Sequence, residues 1–337
     1  MDGLILVLNV GSSSLKYALF EAADGGAAEL ARDELEDHAH QPATHIPDVL
    51  AWVEAQRPGG TLIGVGHRIV HGGAAFSAAV RIEGDVLADL DALCPLAPLH
   101  EPQALAAVRA VTAARPDLAQ VACFDTAFHR TQDPLATWLG LTRELHQQGV
   151  RRYGFHGLSY DYVSGRLAAL DPALAKGRVI AAHLGSGASL CAMADGRSVD
   201  TSMGFSPLDG LLMGTRPGAL DPGAVLYLLQ ERGMDADALQ DLLYHRSGLY
   251  GVSGISGDMR TLEASPDPAA REAIDLFVFR AAREAAGLVA SLGGLDGVVF
   301  TGGIGEHAPA VRPPSPLGWP GSACRSTRPP TPTAASA

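Results

Sequence analysis

Two stretches of this chain, roughly 175 residues apart, repeat one pattern: an apolar run, a Gly-Ser turn and a returning extended run. Leu4–Val10 passes through Gly11-Ser12-Ser13-Ser14 into a segment over 15–20. Arg178–Leu184 passes through Gly185-Ser186-Gly187 into Ala188–Ala194. Each short, nearly continuous apolar run predicts a strand buried on both faces. Two copies so far apart predict a duplicated domain rather than a tandem array, and 337 residues give room for two domains with their own cores. Further strands are expected at 62–70, 120–124 and Gly297–Thr301, with helical stretches between them, the clearest at 102–115. Before the last strand, Ile274, Phe277, Val278, Ala281, Ala285, Leu288, Val289 and Leu292 recur on one helical face. The fold class is therefore α/β, with domains at 1–129 and 130–312. After Arg312 the residues are rich in Pro, Ser and Thr, include no acid and keep neither apolar period. Segment 313–337 is expected to be disordered, because it cannot bury enough surface to offset its ordering entropy.

The net charge of −12, with no basic stretch to offset it, argues against a nucleic-acid surface. It leaves room for an anionic ligand, which backbone N–H groups and a few placed cations can hold. Cys94, Cys123, Cys191 and Cys324 are scattered without a metal-ligand spacing, as expected of reduced thiols in a cytoplasmic protein. The first residues show no leader pattern, and no apolar stretch reaches the roughly 18 residues of a membrane span.

The segment Asn9-Val10-Gly11-Ser12-Ser13-Ser14-Leu15-Lys16 offers a tight turn, three hydroxyls with their N–H groups, and a cation. A polar hairpin turn is the plainer reading, but Asn9 before it and Lys16 after it favour phosphate. It is not a P-loop, because a strand follows it rather than a helix. His183-Leu184-Gly185-Ser186-Gly187-Ala188-Ser189 makes the same offer in the second half, and the pair together suits a polyphosphate gripped across a cleft. Gly302-Gly303-Ile304-Gly305 is a third loop that permits close backbone approach. Arg68, Arg152, His156 and Arg216 lie among glycines and aromatics, where long cations need an anion to meet. Such cations suit a phosphoryl transition state, whose charge spreads over equatorial oxygens. Asp125 follows an apolar strand; it is either a catalytic acid or a helix N-cap.

In order along the chain, Leu8 to Lys16, Gly66 to Gly73, Pro95-Leu96-Ala97-Pro98-Leu99-His100, Phe124 to His129, Arg151 to Gly157 and Val199 to Arg216 closely resemble the acetate kinase family. These acetokinases belong to the acetate and sugar kinase/Hsc70/actin superfamily, and the resemblance covers about 4–312. It implies two duplicated ribonuclease H-like domains with a cleft between them, and Mg²⁺-dependent transfer of the ATP γ-phosphate to acetate, with Mn²⁺ as a substitute ion. It further implies a cytoplasmic homodimer. By the same resemblance, Asn9 is a metal-side residue, with Ser12, Ser14 and Lys16 near phosphate. Arg68 binds the acyl carboxylate, Asp125 is the active-site acid, and His156 and Arg216 stabilise the transition state. His183, Leu184, Gly185, Ser186 and Gly187 contact nucleotide, as do Asp258, Met259, Arg260, Gly303, Ile304, Gly305, Glu306 and His307. Val70, Leu99, Phe155 and Pro207 form a small pocket for the methyl group.

The chain departs from the family pattern in three places. Ser186 stands where many members have Asn, and Glu101 replaces the common amide after His100. A further helix–strand segment and a Thr-Asn-Glu-Glu stretch with a metal-binding acid are missing, and 313–337 reads like the product of a shifted reading frame. Two alternatives therefore accompany the acetate reading: a propionate kinase-like relative, since one methylene is worth only about 1–3 kcal/mol, and a truncated, non-catalytic nucleotide-binding protein.

Overall fold

Both expected hairpins form, but they are buried differently. In a computed structural model that describes residues 3–11, 14–23, 26–36, 41–308 and 311, β1 (Leu4–Val10) and β2 (Ser14–Ala23) pair antiparallel, with Asn9 opposite Lys16. Expectations placed on Ser12, Ser13 and 313–337 lie outside the described residues. The chain divides into two units, Met1–Arg130 with Gln147–Gly149, and Thr131–His146 with Val150–Ala337.

In the first unit the hairpin continues into β3 (Gly26–Glu36), followed by β4 (Leu62–Ile69), β5 (Val80–Arg81) and β6 (Ala119–Phe124). The sheet order is β3-β2-β1-β4-β6-β5, with β1, β4 and β6 parallel. Leu4, Leu6, Leu8 and Val10 point into a core with Leu15, Leu19, Ile46, Val49, Ala107 and Val111. Val7, on the opposite face, is exposed. Burial of β1 on both faces is thus corrected to alternation: one face packs on helices 46–56 and Glu101–Ala114 and the other does not. The strand β3 has no apolar period and is mostly exposed, as an edge strand can be.

In the second unit, β7 (Arg178–Leu184), β8 (Ala188–Ala194) and β9 (Arg197–Thr201) form an antiparallel meander, and β10 (Gly297–Thr301) pairs parallel with β7. The order is β10-β7-β8-β9. This repeats the meander β1-β2-β3 with β4 parallel to β1, so the duplication extends from the hairpins to the sheets. Here β7 and β8 are buried on both faces, as their apolar runs predict. Helix Gly157–Leu170 packs on β7, and Pro268–Leu292 packs on β7, β8 and β9. In that second helix Ile274, Phe277, Ala281, Ala285 and Leu288 are buried as expected, with Val278, Val289 and Leu292 half-buried. The third glycine loop is a short helix, Gly302–His307, rather than a loop. Its glycines tolerate the turn directly off β10, where Gly302 adopts φ +81° against the Leu184 backbone.

Candidate active site

Parallel pairing of β4 with β6 sets the first group of residues. Arg68 lies opposite Cys123, and the Asp125 N–H donates to the Ile69 carbonyl just beyond the strand end. That register brings Asp125, nearly sixty residues along the chain, against the Arg68 guanidinium. Nε (3.0 Å) and Nη2 of Arg68 donate to Asp125 Oδ2, while Nη1 donates to Asn9 Oδ1 at 3.2 Å. The Asp125 side chain is 4% exposed and that of Arg68 26%. Burial works against the Arg68 charge, but the charge and hydrogen bonds of Asp125 outweigh it and raise its pKa. Asp125 is therefore the ion-pair partner of Arg68. Beside this pair the backbone N–H of His71 donates to Glu101 Oε2 at 3.2 Å, and the N–H of Gly72 donates to Thr126 Oγ1 at 2.9 Å. Burial lowers the pKa of both His67 and His71 to about 4, so both are neutral at physiological pH.

The second group gathers on the second hairpin. His156 precedes helix Gly157–Leu170 with φ 60°, a left-handed conformation uncommon for a side-chain-bearing residue and often found at functional positions. Its Nδ1 is 2.8 Å from Ser189 Oγ, which also meets the buried Tyr160 hydroxyl one turn along that helix. Burial keeps the Tyr160 phenol protonated, with a pKa well above the usual value. With Nδ1 so engaged, Nε2 of His156 turns toward Gly187: a Cβ there would sit 3.3 Å from it and 2.7 Å from Arg216 Nη2. Arg216 Nη1 donates to the Pro207 carbonyl at 2.8 Å. The His183 ring lies 4.5 Å from that of His156, tilted by 34°, and its Nδ1 is 2.9 Å from Ser159 Oγ.

The loop that carries Arg216 is held by backbone bonds. Gly214 N–H donates to Ser186 O at 2.9 Å, Met213 N–H to Arg216 O at 3.0 Å, and Ser247 N–H to Thr215 O at 2.9 Å. Gly248, at φ +66°, lets the next helix press on it; a Cβ there would lie 2.2 Å from Met213 O. A bare glycine thus faces an imidazole nitrogen and a guanidinium on a rigid frame, which is an arrangement suited to an anion.

The remaining candidates are engaged in other ways. Lys16 pairs with Glu34 across β2 and β3 at 3.6 Å, with more than half of its side chain exposed. Ser14 closes the first turn by accepting from Gly11 N–H at 2.8 Å. Asp258 caps helix Met259–Glu263, accepting from the Arg260 N–H at 2.8 Å and pairing with the Arg260 side chain. That side-chain bond is the main reason its pKa falls to about 2. On the short helix Gly302–His307, Gly305 is buried beneath while Gly303, Glu306 and His307 are exposed and Ile304 is half-buried. Leu184 is buried, Gly185 and Gly187 are half-buried, and Ser186 is exposed at the turn. Val70 and Phe155 are buried and Leu99 and Pro207 half-buried, two in each unit. Among the described residues no three His, Cys, Asp or Glu side chains cluster as a metal cage would require.

Ser159 and Tyr160 are absent from the sequence-derived site, and Ser189 enters it only as the end of the second Gly-Ser segment, with no role of its own. Tyr160 gives no local signal beyond its four-residue offset from His156.

Residues 4–315 match the model of the Acetokinase family. An acetate kinase of Rhodopseudomonas palustris is 52% identical over 338 residues, covering 93% of this chain and 85% of the relative. One from Methylocella silvestris is 46% identical with the same coverage of each. Among solved structures, Porphyromonas gingivalis acetate kinase superposes with a TM-score of 0.81 at 35% identity, over 92% of this chain and 85% of that one. A propionate kinase from Francisella tularensis gives 0.81 at 36% identity, over 92% and 86%.

Proposed function

The chain belongs to the acetokinase family, and from that premise we infer that it is an acetate kinase, transferring the γ-phosphoryl group of ATP to acetate in a reversible reaction. A carboxylate oxygen attacks the γ-phosphorus, the bond to the β–γ bridging oxygen breaks, and acetyl phosphate and ADP result. Acetate is already ionised at neutral pH, so no strong general base is needed. The reaction asks for alignment and charge neutralisation. The observation that carries the reading is the convergence of His156 Nε2 and Arg216 Nη2 on Gly187, built on the duplicated hairpin. These two side chains would stabilise the charge of the phosphoryl group in flight. Arg68, held charged by Asp125, would take the carboxylate. The turn residues from His183 to Gly187 would contact nucleotide. Asp258 and Arg260, paired with one another on an exposed helix cap, would meet nucleotide from there.

Mg²⁺ or Mn²⁺ would accompany the nucleotide. Asn9 supplies a neutral oxygen suited to such a hard ion, but that oxygen already accepts from Arg68. Phosphate oxygens and water would therefore fill most of the shell, a usual arrangement for Mg²⁺. When bound, the ion neutralises phosphate charge. Val70, Leu99, Phe155 and Pro207 would favour the methyl group over longer chains. No helix of the described residues is long and apolar enough to cross a membrane, in keeping with a cytoplasmic enzyme. Exposed Leu226, Tyr227, Tyr250, Val252 and Phe279 suit a homodimer, which sedimentation would reveal.

Trapping of acyl phosphate with hydroxylamine tests the proposal. Acetate and ATP should yield hydroxamate, propionate should yield it with a lower kcat/KM, and butyrate far less. Folded protein that binds nucleotide but forms no hydroxamate would leave a binding protein in place of a kinase. A kcat/KM that rises from acetate to propionate would shift the substrate to the longer acid.

A further inference from the structure

Glu101 opens helix Glu101–Ala114, where an acid normally sits in water and favours the helix dipole. Here it is wholly buried, at 0% exposure, which carboxylates almost never are unless paired. Its Oε2 accepts from the His71 N–H at 3.2 Å, and its Oε1 is buried without a hydrogen-bond partner. An ionised carboxylate asks for several donors and suffers without them; a neutral carboxyl asks for far less.

The charges around it are Arg68 and Asp125 at the ends of β4 and β6, with the Cys94 thiol before the helix. His71, whose backbone holds it, is neutral. Arg68 and Asp125 cancel, so the cluster is neutral while Glu101 keeps its proton and carries one negative charge when it does not. An incoming carboxylate would then meet a net anion in place of a balanced guanidinium.

We propose that Glu101 is a positioning residue for the carboxylate substrate: as a neutral carboxyl it holds the His71 segment beside Arg68, and its ionisation closes the site to anions. The proposal rests on the acetate kinase reading for its substrate, and it makes carboxylate affinity, rather than nucleotide affinity, the pH-sensitive quantity. Burial first, opposed by the backbone N–H groups of His71 and Val70 and by Arg68, raises the Glu101 pKa from 4.5 to about 8.

The test uses the full chain and its Glu101→Gln variant, with Glu101→Asn as a second neutral replacement. Wild-type KM for acetate should rise about tenfold from pH 7 to pH 9, as one group with a pKa of about 8 ionises, while KM for ATP stays level. In Glu101→Gln the acetate KM should be flat over that span. An equal rise in both proteins would overturn the proposal. A second readout needs no turnover. Between about pH 5 and 8 folded wild type keeps a proton that the unfolded chain has lost, so its stability falls as pH rises. The Tm advantage of the neutral variant should therefore widen across that window, and a constant difference would show that Glu101 is ionised in the fold. If neither protein turned over acetate while the Tm difference widened, the kinase reading would fail and the neutral carboxyl would stand.

Discussion

In the first unit, the hairpin places Asn9 opposite Lys16; in the second, the matching places hold His183 and Ser189. The neighbouring parallel strand adds Arg68 beside Asn9 in one case and Thr301 beside His183 in the other. The backbone frame is the same, and the source of positive charge is not. In the first unit the guanidinium grows from the sheet itself and is neutralised by Asp125. In the second, the sheet contributes polar residues, and His156 and Arg216 reach the turn from loops outside it. A duplicated fold thus fixes where an anion can be met, while residues outside the repeat decide how.

The largest expected effect comes from removing each guanidinium. Arg68→Ala and Arg216→Ala should each lower kcat/KM by about 2–4 kcal/mol of transition-state stabilisation. They should differ in stability. Arg68→Ala strands the buried Asp125 carboxylate, which costs about 3–5 kcal/mol, and so should lower Tm by several degrees. Arg216→Ala removes a hydrogen bond to the Pro207 carbonyl, a loss of about 1 kcal/mol, and should melt nearer wild type. Equal melting temperatures would erase the distinction between the two units, and retained activity in both would remove them from the chemistry.

A smaller effect is expected at the turns. A Cβ on Gly187 would displace Arg216 Nη2, the far end of a flexible side chain, so the fold should tolerate Gly187→Ala. A misplacement of that kind can reduce turnover about tenfold to a hundredfold. Gly11→Ala, at the start of the first turn, meets the Ser14 carbonyl oxygen at 3.2 Å and should change kcat less. Steady-state kinetics beside melting curves separate these outcomes; a Gly187→Ala enzyme with unchanged kcat would show that Arg216 need not sit at the turn.

These contrasts were only partly legible in the sequence. The apolar runs and Gly-Ser turns disclose both hairpins, because burial and tight turning leave strong local patterns. The exposed edge β3 discloses itself poorly: Gly26–Glu36 mixes small, apolar and charged residues without an apolar period, and its pairing is settled by its neighbour β2. Arg68 and Asp125 are each conspicuous alone, yet their ion pair depends on the register of β4 against β6, which no local pattern states. Asp258 and Arg260 read as nucleotide contacts in the sequence, and the helix cap they form together shows only in the fold. Glu101 stands out as a charged residue among apolar ones, but its burial follows from how its helix packs.

The smallest effect is predicted at Lys16, where sequence places a phosphate-side cation and the structure shows a cross-strand pair. Lys16 and Glu34 sit 3.6 Å apart with about half of each side chain in water, so their attraction is screened and worth about 0.2–1 kcal/mol. Lys16→Ala should therefore shift Tm by a degree or two at low salt and less at high salt. If Lys16 stays with Glu34 during turnover, KM for ATP should remain within about twofold of wild type. The alternative is that nucleotide draws the long, flexible side chain away from Glu34, which the weakness of that pair permits. KM for ATP would then rise by about tenfold, the equivalent of 1.4 kcal/mol, and the rise would shrink as salt is added. That result would give the first hairpin a movable cation of its own, making it the counterpart of the second in function as well as in frame.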